Sequence, residues 1–191
     1  MPLYKIYIGL IVLVLIGHLG GCSSIRVSQD YDPSRDYSSL KTYTWQRENQ
    51  PETGDVRVDS SLLDTRFRSA IDDALAKKGF QKTTQGKPDF YVAYTYQIDS
   101  KIESSNVTLG VGVGRSSRGR YGGVGVHSGG QVREYDEGLL VIDLVDAATG
   151  SLMWRGTGTA RVDPGADPEK SVKAIHAGVE QILAQFPPQD N

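Results

Sequence analysis

Glu137-Gly-Leu-Leu-Val-Ile-Asp-Leu-Val-Asp146 is apolar at both odd and even positions through its centre. Side chains along a strand alternate between two faces, so a run without a polar face reads as an interior strand of a sheet. Ala147-Ala-Thr-Gly-Ser151 follows with turn chemistry, and Leu152-Met-Trp-Arg-Gly-Thr-Gly-Thr-Ala-Arg-Val162 returns as the antiparallel neighbour. This hairpin commits the chain to a sheet that needs a second layer against it.

Toward the C terminus, Asp167-Pro168 opens a helix with a cap and a first-position proline, and Pro187-Pro188 ends it. Val172, Ile175, Val179, Ile182 and Phe186 form its apolar face. Toward the N terminus, a strand follows Pro88 with Phe90, Val92, Tyr94, Tyr96 and Ile98 on one face and Tyr91, Ala93, Thr95 and Gln97 on the other. Before it, Leu63, Phe67, Ile71, Ala74 and Leu75 share one face of a helix that Asp59 or Ser60 can cap. Gly79, just past Lys77 and Lys78, suits a left-handed helix end, with Phe80 folding back on the last turn. Residues 47–58 read as a polar loop, Tyr43 and Trp45 as a short strand, and Asp32-Pro33-Ser34 as a turn. Ile25, Val27, Gln29 and Tyr31 alternate as a first strand. The expected fold is a two-layer α+β domain, an antiparallel sheet of about five to seven strands with two amphipathic helices packed on one face.

Residues 107–130 carry the most unusual composition. Leu109, Val111 and Val113 alternate with Gly110, Gly112 and Gly114, and Val124 and Val126 alternate with Gly123 and Gly125. Two readings are open: a glycine-faced hairpin, or a low-complexity loop. Arg115, Arg118, Arg120 and Tyr121 cluster at its tip as a candidate interaction surface, set against a solvated turn. A hairpin edge here would be open to a partner strand.

Residues 1–21 have the build of a secretory signal: Lys5, an apolar core from Ile6 to Ile16, then small residues. Gly17, His18, Gly20 and Gly21 interrupt the run before the roughly 20 apolar residues a spanning helix needs. Leu19-Gly20-Gly21-Cys22 resembles the bacterial lipobox, with cleavage between Gly21 and Cys22, two acyl chains carried on the Cys22 sulfur and a third on the freed amine. Two or more acyl chains give stable anchoring where one does not. The alternative is an uncleaved signal anchor with a free thiol. Ser23 stands where an Asp resembles an inner-membrane retention signal, which points to an outer-membrane lipoprotein facing the periplasm. The expected organisation is a leader at 1–21, the lipidated cysteine and tether at 22–24, one domain at 25–188 and a tail at 189–191.

Of the 21 basic residues only Lys5 lies in the leader, so 20 remain against 23 acidic ones, a net charge of about −3. A mildly acidic chain lacks the basic face of a nucleic-acid binder. Cys22 is the only cysteine, so lipidation leaves no thiol for a disulfide or a thiolate metal site.

No stretch assembles a reaction. Ser38-Ser-Leu-Lys41 has a serine–lysine spacing found in penicillin-interacting enzymes but lacks its companion motifs. No Gly-rich segment has dinucleotide- or phosphate-binding spacing, and neither His127 nor His176 has a second histidine at ligand spacing. No metal and no cofactor is expected. Asp143 and Asp146 deserve most scrutiny as carboxylates, because a charge in an apolar strand is costly unless paired or solvated. Asp146 also suits the start of a turn.

Asp30-Tyr-Asp32, Lys41-Thr-Tyr-Thr-Trp45, Lys78-Gly-Phe80, Pro88-Asp-Phe90, Glu137 to Asp146, Trp154-Arg-Gly156 and Phe186-Pro-Pro188, in that order, resemble the domain-of-unknown-function 4136 family of bacterial lipoproteins. The resemblance spans nearly all of the mature chain and implies an envelope lipoprotein with an α+β domain. It supplies no activity or catalytic residue. Two functions stay open: a non-enzymatic binding or assembly-support module, held to the membrane by lipidated Cys22 and using the open sheet face or the hairpin edge, or a periplasmic hydrolase or ligand-binding enzyme built on Asp143, Asp163 or His127.

Overall fold

The computed structural model describes residues 25–104, 108–116, 119–127 and 132–188, with the backbone alone between 104 and 132. The expected leader, the Gly21–Cys22 cleavage site, the tether and the 189–191 tail lie outside the described residues. The elements run β1 (Arg26–Tyr31), β2 (Thr42–Trp45), α1 (Ser61–Lys77), β3 (Gln81–Lys82), β4 (Phe90–Ser104), β5 (Thr108–Ser116), β6 (Gly119–His127), β7 (Val132–Asp146), β8 (Leu152–Arg161) and α2 (Pro168–Leu183). Six strands form one open sheet in the order β1-β8-β7-β4-β2-β3.

The α+β class and the strand count are as expected, but the sheet is mixed rather than antiparallel. β1, β8, β7 and β4 pair antiparallel, whereas β2 pairs parallel with both β3 and β4. The cause is α1, which carries the chain back between β2 and β3, and a helical crossover returns a strand in the same direction. The β7–β8 hairpin is antiparallel as expected, pairing from Glu137↔Arg161 to Leu144↔Trp154, with an irregularity between Leu144 and Val145.

Alternation on β4 and β7 sends Phe90, Val92, Leu140, Ile142 and Leu144 into the helix layer, all buried. The other face of β7 is covered less than its sequence suggests. Leu139 and Val141 are only half-buried, because no helix packs there and their cross-strand neighbours are Gln97, Thr159, Thr95 and Thr157. At one end of the core, Trp154, Phe186, Phe80 and Phe90 meet with ring centroids 5.3–6.1 Å apart, in offset and edge-on contacts that aromatic rings favour.

α1 ends in a Schellman motif. The Phe80 N–H donates to Leu75 O and the Gly79 N–H to Ala76 O, with Gly79 at φ +90°. Its first turn differs from expectation: Ser60 sits at the cap position without a side-chain cap bond, and Asp59 instead accepts from the Thr53 and Gly54 N–H groups. In α2, Asp167 accepts from the Lys170 N–H and Pro168 follows, as expected.

β5 and β6 form a separate antiparallel ladder from Thr108↔His127 to Ser116↔Gly119. The register sets Gly110 opposite Gly125 and Gly112 opposite Gly123, with Leu109 opposite Val126 and Val111 opposite Val124. Of the two readings, the hairpin with one glycine face is the one observed.

Candidate functional site

The carboxylates singled out in sequence are all held in structural contacts. Asp143 lies directly across from Arg155 in the β7–β8 register, and its two oxygens accept from Arg155 Nε and Nη2 at 2.6 and 2.7 Å. This partner was missed because it depends on the register, which the irregularity beside Val145 displaces relative to a count from the turn. Asp146 is buried and organises the turn: it accepts from the Ala148 and Thr149 N–H groups and the Thr149 hydroxyl, and pairs with Arg35. Those bonds, the Thr149 N–H foremost, hold its pKa below the ordinary aspartate value. Asp163 accepts from the Gly165 N–H at 3.0 Å.

The remaining candidates disperse. Ser38 Oγ donates to Asp36 at 2.6 Å, while the Lys41 N–H donates to Asp89, so the serine–lysine spacing makes no site. His176 is half-buried on α2. The backbone of β5 and β6 sets Arg115 opposite Arg120 and Gly114 opposite Tyr121, so three of the four tip residues are neighbours along one ladder end. Arg118 lies outside the described residues, as do the side chains of Arg115, Arg120, Tyr121 and His127. Among the described residues no cluster of three or more His, Asp or Glu can hold a metal, and no helix is long and apolar enough to cross a membrane.

A site that the sequence reading did not foresee is an apolar cleft of about 410 Å³ between the two helices and the sheet. That volume falls within the roughly 300–1,000 Å³ of small-molecule sites. Small residues make room for it: Gly138 pairs with Ala160 and Leu140 with Gly158, so the β7–β8 pair carries two glycines and an alanine along the cleft. A methyl group on Gly138 would lie 2.5 Å from Tyr96 Oη, and one on Gly158 would lie 2.6 Å from Ile182 Cδ1. These glycines therefore let Tyr96 and Ile182 lie close against the sheet. Leu63 and Phe67 of α1 and Ile175 of α2 form the walls, and Ile25 lines the cleft from the N-terminal side.

Polar groups ring the mouth, but they are matched. Arg57 bonds Asp55 and Asp136, which hold its pKa up; Arg161 bonds Glu103, with the same effect, and stacks 4.0 Å over Tyr135; Lys170 pairs with Asp167 at 3.5 Å. Asp163 also borders this cleft, whereas Asp143 borders a different, polar one beside Trp45 and Arg68. The two acids do not share a pocket. The signal for the cleft was present as Gly-Thr-Gly at 156–158 and Gly138, but small residues on a strand do not announce which side chain will cover them.

Comparison with known proteins shows a family and a likeness of fold. The family described as "Domain of unknown function (DUF4136)" matches residues 27–188. No curated protein matches the sequence. A crystal structure of a PDZ domain protein from Parabacteroides distasonis is 14% identical with a TM-score of 0.54, covering 88% of this chain and 37% of that one. This chain thus spans little more than a third of that protein, and the likeness shows the fold alone. Two PelC dodecamers from Paraburkholderia phytofirmans are 11% and 13% identical with TM-scores of 0.47 and 0.45, covering 87% of this chain and 100% of theirs.

Proposed function

The chain belongs to the DUF4136 family, and on that premise we propose that it is a lipid-anchored module of the bacterial envelope that acts by binding rather than by catalysis. The observation that carries the reading is what the carboxylates are doing. Asp143 and Asp146 each accept several hydrogen bonds that hold a strand pair or a turn, which leaves them poor acids or bases, and Asp163 is an exposed carboxylate bonded to the Gly165 N–H in a different cleft from Asp143. The anchor is Cys22, acylated after cleavage at Gly21, and Ser23 in place of Asp favours the outer membrane facing the periplasm. With β1 beginning at Arg26, the domain rides close to the bilayer.

Two measurements test this. Wild-type protein made in its own host is expected in the membrane fraction, with an N-terminal peptide that starts at an acylated Cys22, while Cys22→Ser moves to the soluble fraction. A bare Cys22 sulfur, or residues 1–21 still attached, overturns the anchor. For the binding surface, deletion of residues 109–126 is expected to leave the domain folded, because among the described residues β5 and β6 pair only with each other, and to abolish a partner cross-linked in intact cells. An unchanged partner after the deletion removes the hairpin tip, Arg115 to Tyr121, from the interaction.

A further inference from the structure

Ile25 is the first described residue, and it is part of the apolar cleft. Methyl groups placed on Gly158 of β8 and Gly178 of α2 would each come within 3.8 Å of its side chain, so Ile25 sits between sheet and helix where the cleft opens. Cys22 is three residues upstream, which limits its Cα to about 10 Å from that of Ile25. Whatever Cys22 carries is therefore within reach of a cleft whose walls are Leu63, Phe67 and Ile175.

The mouth selects against an anionic head. Its cations are already matched, Arg57 by Asp55 and Asp136, Arg161 by Glu103 and Lys170 by Asp167, so an anionic ligand would have to displace an existing partner. A cysteine diacylated on sulfur and acylated on its amine has no charge at all, only ester and amide groups above hydrocarbon. We propose that the cleft takes up one of the acyl chains borne by Cys22. This rests on the lipidation proposed above. The remaining two chains are enough to keep the anchor in the bilayer, and the inserted chain fixes the domain with its cleft toward the membrane.

The test uses the full chain in its native host, fed a fatty acid that carries a photoreactive diazirine. After irradiation, peptides containing Leu63 or Ala174 are expected to carry the label borne by Cys22. Ala174 is an exposed residue of α2 at the edge of the cleft, so Ala174→Trp can fill the opening from its solvent side. That variant is expected to lose the adducts while keeping the label at Cys22 and its thermal unfolding midpoint. A labelled Cys22 whose adducts are only to lipids or other proteins overturns the cleft occupancy and leaves the anchor standing. Adducts that persist in Ala174→Trp also overturn it, since they then report surface contact. An unlabelled Cys22 overturns both readings.

Discussion

Trp154→Ala is expected to cost about 3–5 kcal/mol, the range for removing a large aromatic side chain from a core. Trp154 is fully buried, its ring centroid is 5.3 Å from that of Phe186, and its indole N–H donates to Gln29 Oε1 at 2.9 Å. The ring also lies across Gly156, where a methyl group would come within 2.2 Å of it. Alanine would therefore empty space that nothing nearby is shaped to fill, and would strip Gln29 on the edge strand β1 of its partner. A domain of this size has a total stability of about 5–15 kcal/mol, so the loss is a large fraction of the whole. Urea denaturation followed by tryptophan-independent circular dichroism reads it as a fall in midpoint. A loss below about 1 kcal/mol, typical of an ordinary substitution, would show that the aromatic cluster does not centre on this ring.

Asp146→Ala is expected to cost about 3 kcal/mol, the lower end for breaking a buried ion pair because Arg35 keeps 26% of its side chain exposed. The substitution leaves the Thr149 and Ala148 N–H groups without their acceptor, and Arg35 already has a buried Nε–H that meets no acceptor among the described residues. The pH dependence follows from the direction of the Asp146 shift. Its folded pKa lies below the unfolded value near about 3.9, so its contribution is complete at neutral pH and is lost as pH falls below about 4 and through the folded value. The difference in stability between wild type and Asp146→Ala should therefore be flat from pH 7 to pH 5 and shrink below that. A difference that grows on acidification would mean that Asp146 is not the titrating group.

Much of this architecture was readable because it is written in short-range patterns. Phe67, Ile71, Ala74 and Leu75 recur at helical spacing and are all buried, and Lys77-Lys-Gly79-Phe80 forms the helix end its chemistry implies. The glycine–aliphatic alternation of residues 109–126 likewise translates into a ladder with glycine opposite glycine. The direction of β2 was not readable, since Thr42–Trp45 has the same alternation whether it pairs parallel or antiparallel. A polar device on α1 was equally hidden. Asp64, Arg68 and Asp72 stand at successive four-residue steps along the helix, a spacing that does not say what they meet. In the fold Asp64 accepts from Tyr94 Oη at 2.5 Å, Arg68 lies 4.4 Å over Trp45, and Asp72 accepts from Tyr43 Oη and Trp45 Nε1.

For the candidate site the division is sharper. Asp143 in an apolar strand is either paired or solvated on its sequence alone, and its pairing with Arg155 appears only once β7 and β8 are in register. The cleft was invisible because Gly138, Gly158 and Ala160 read as weak strand residues until Tyr96 and Ile182 are laid over them.

By itself the sequence determined the two helices, the Asp167 cap that starts α2 and the Gly79 motif that ends α1, and the antiparallel β7–β8 hairpin. Those properties arise from side-chain periodicity and capping within a few residues. Only the tertiary structure decided the strand order, the parallel entry of β2, the acid that meets each base and the cleft beside Ile25. Each depends on contacts between residues far apart in the chain, and closing such loops selects one pairing among several that share the same local pattern.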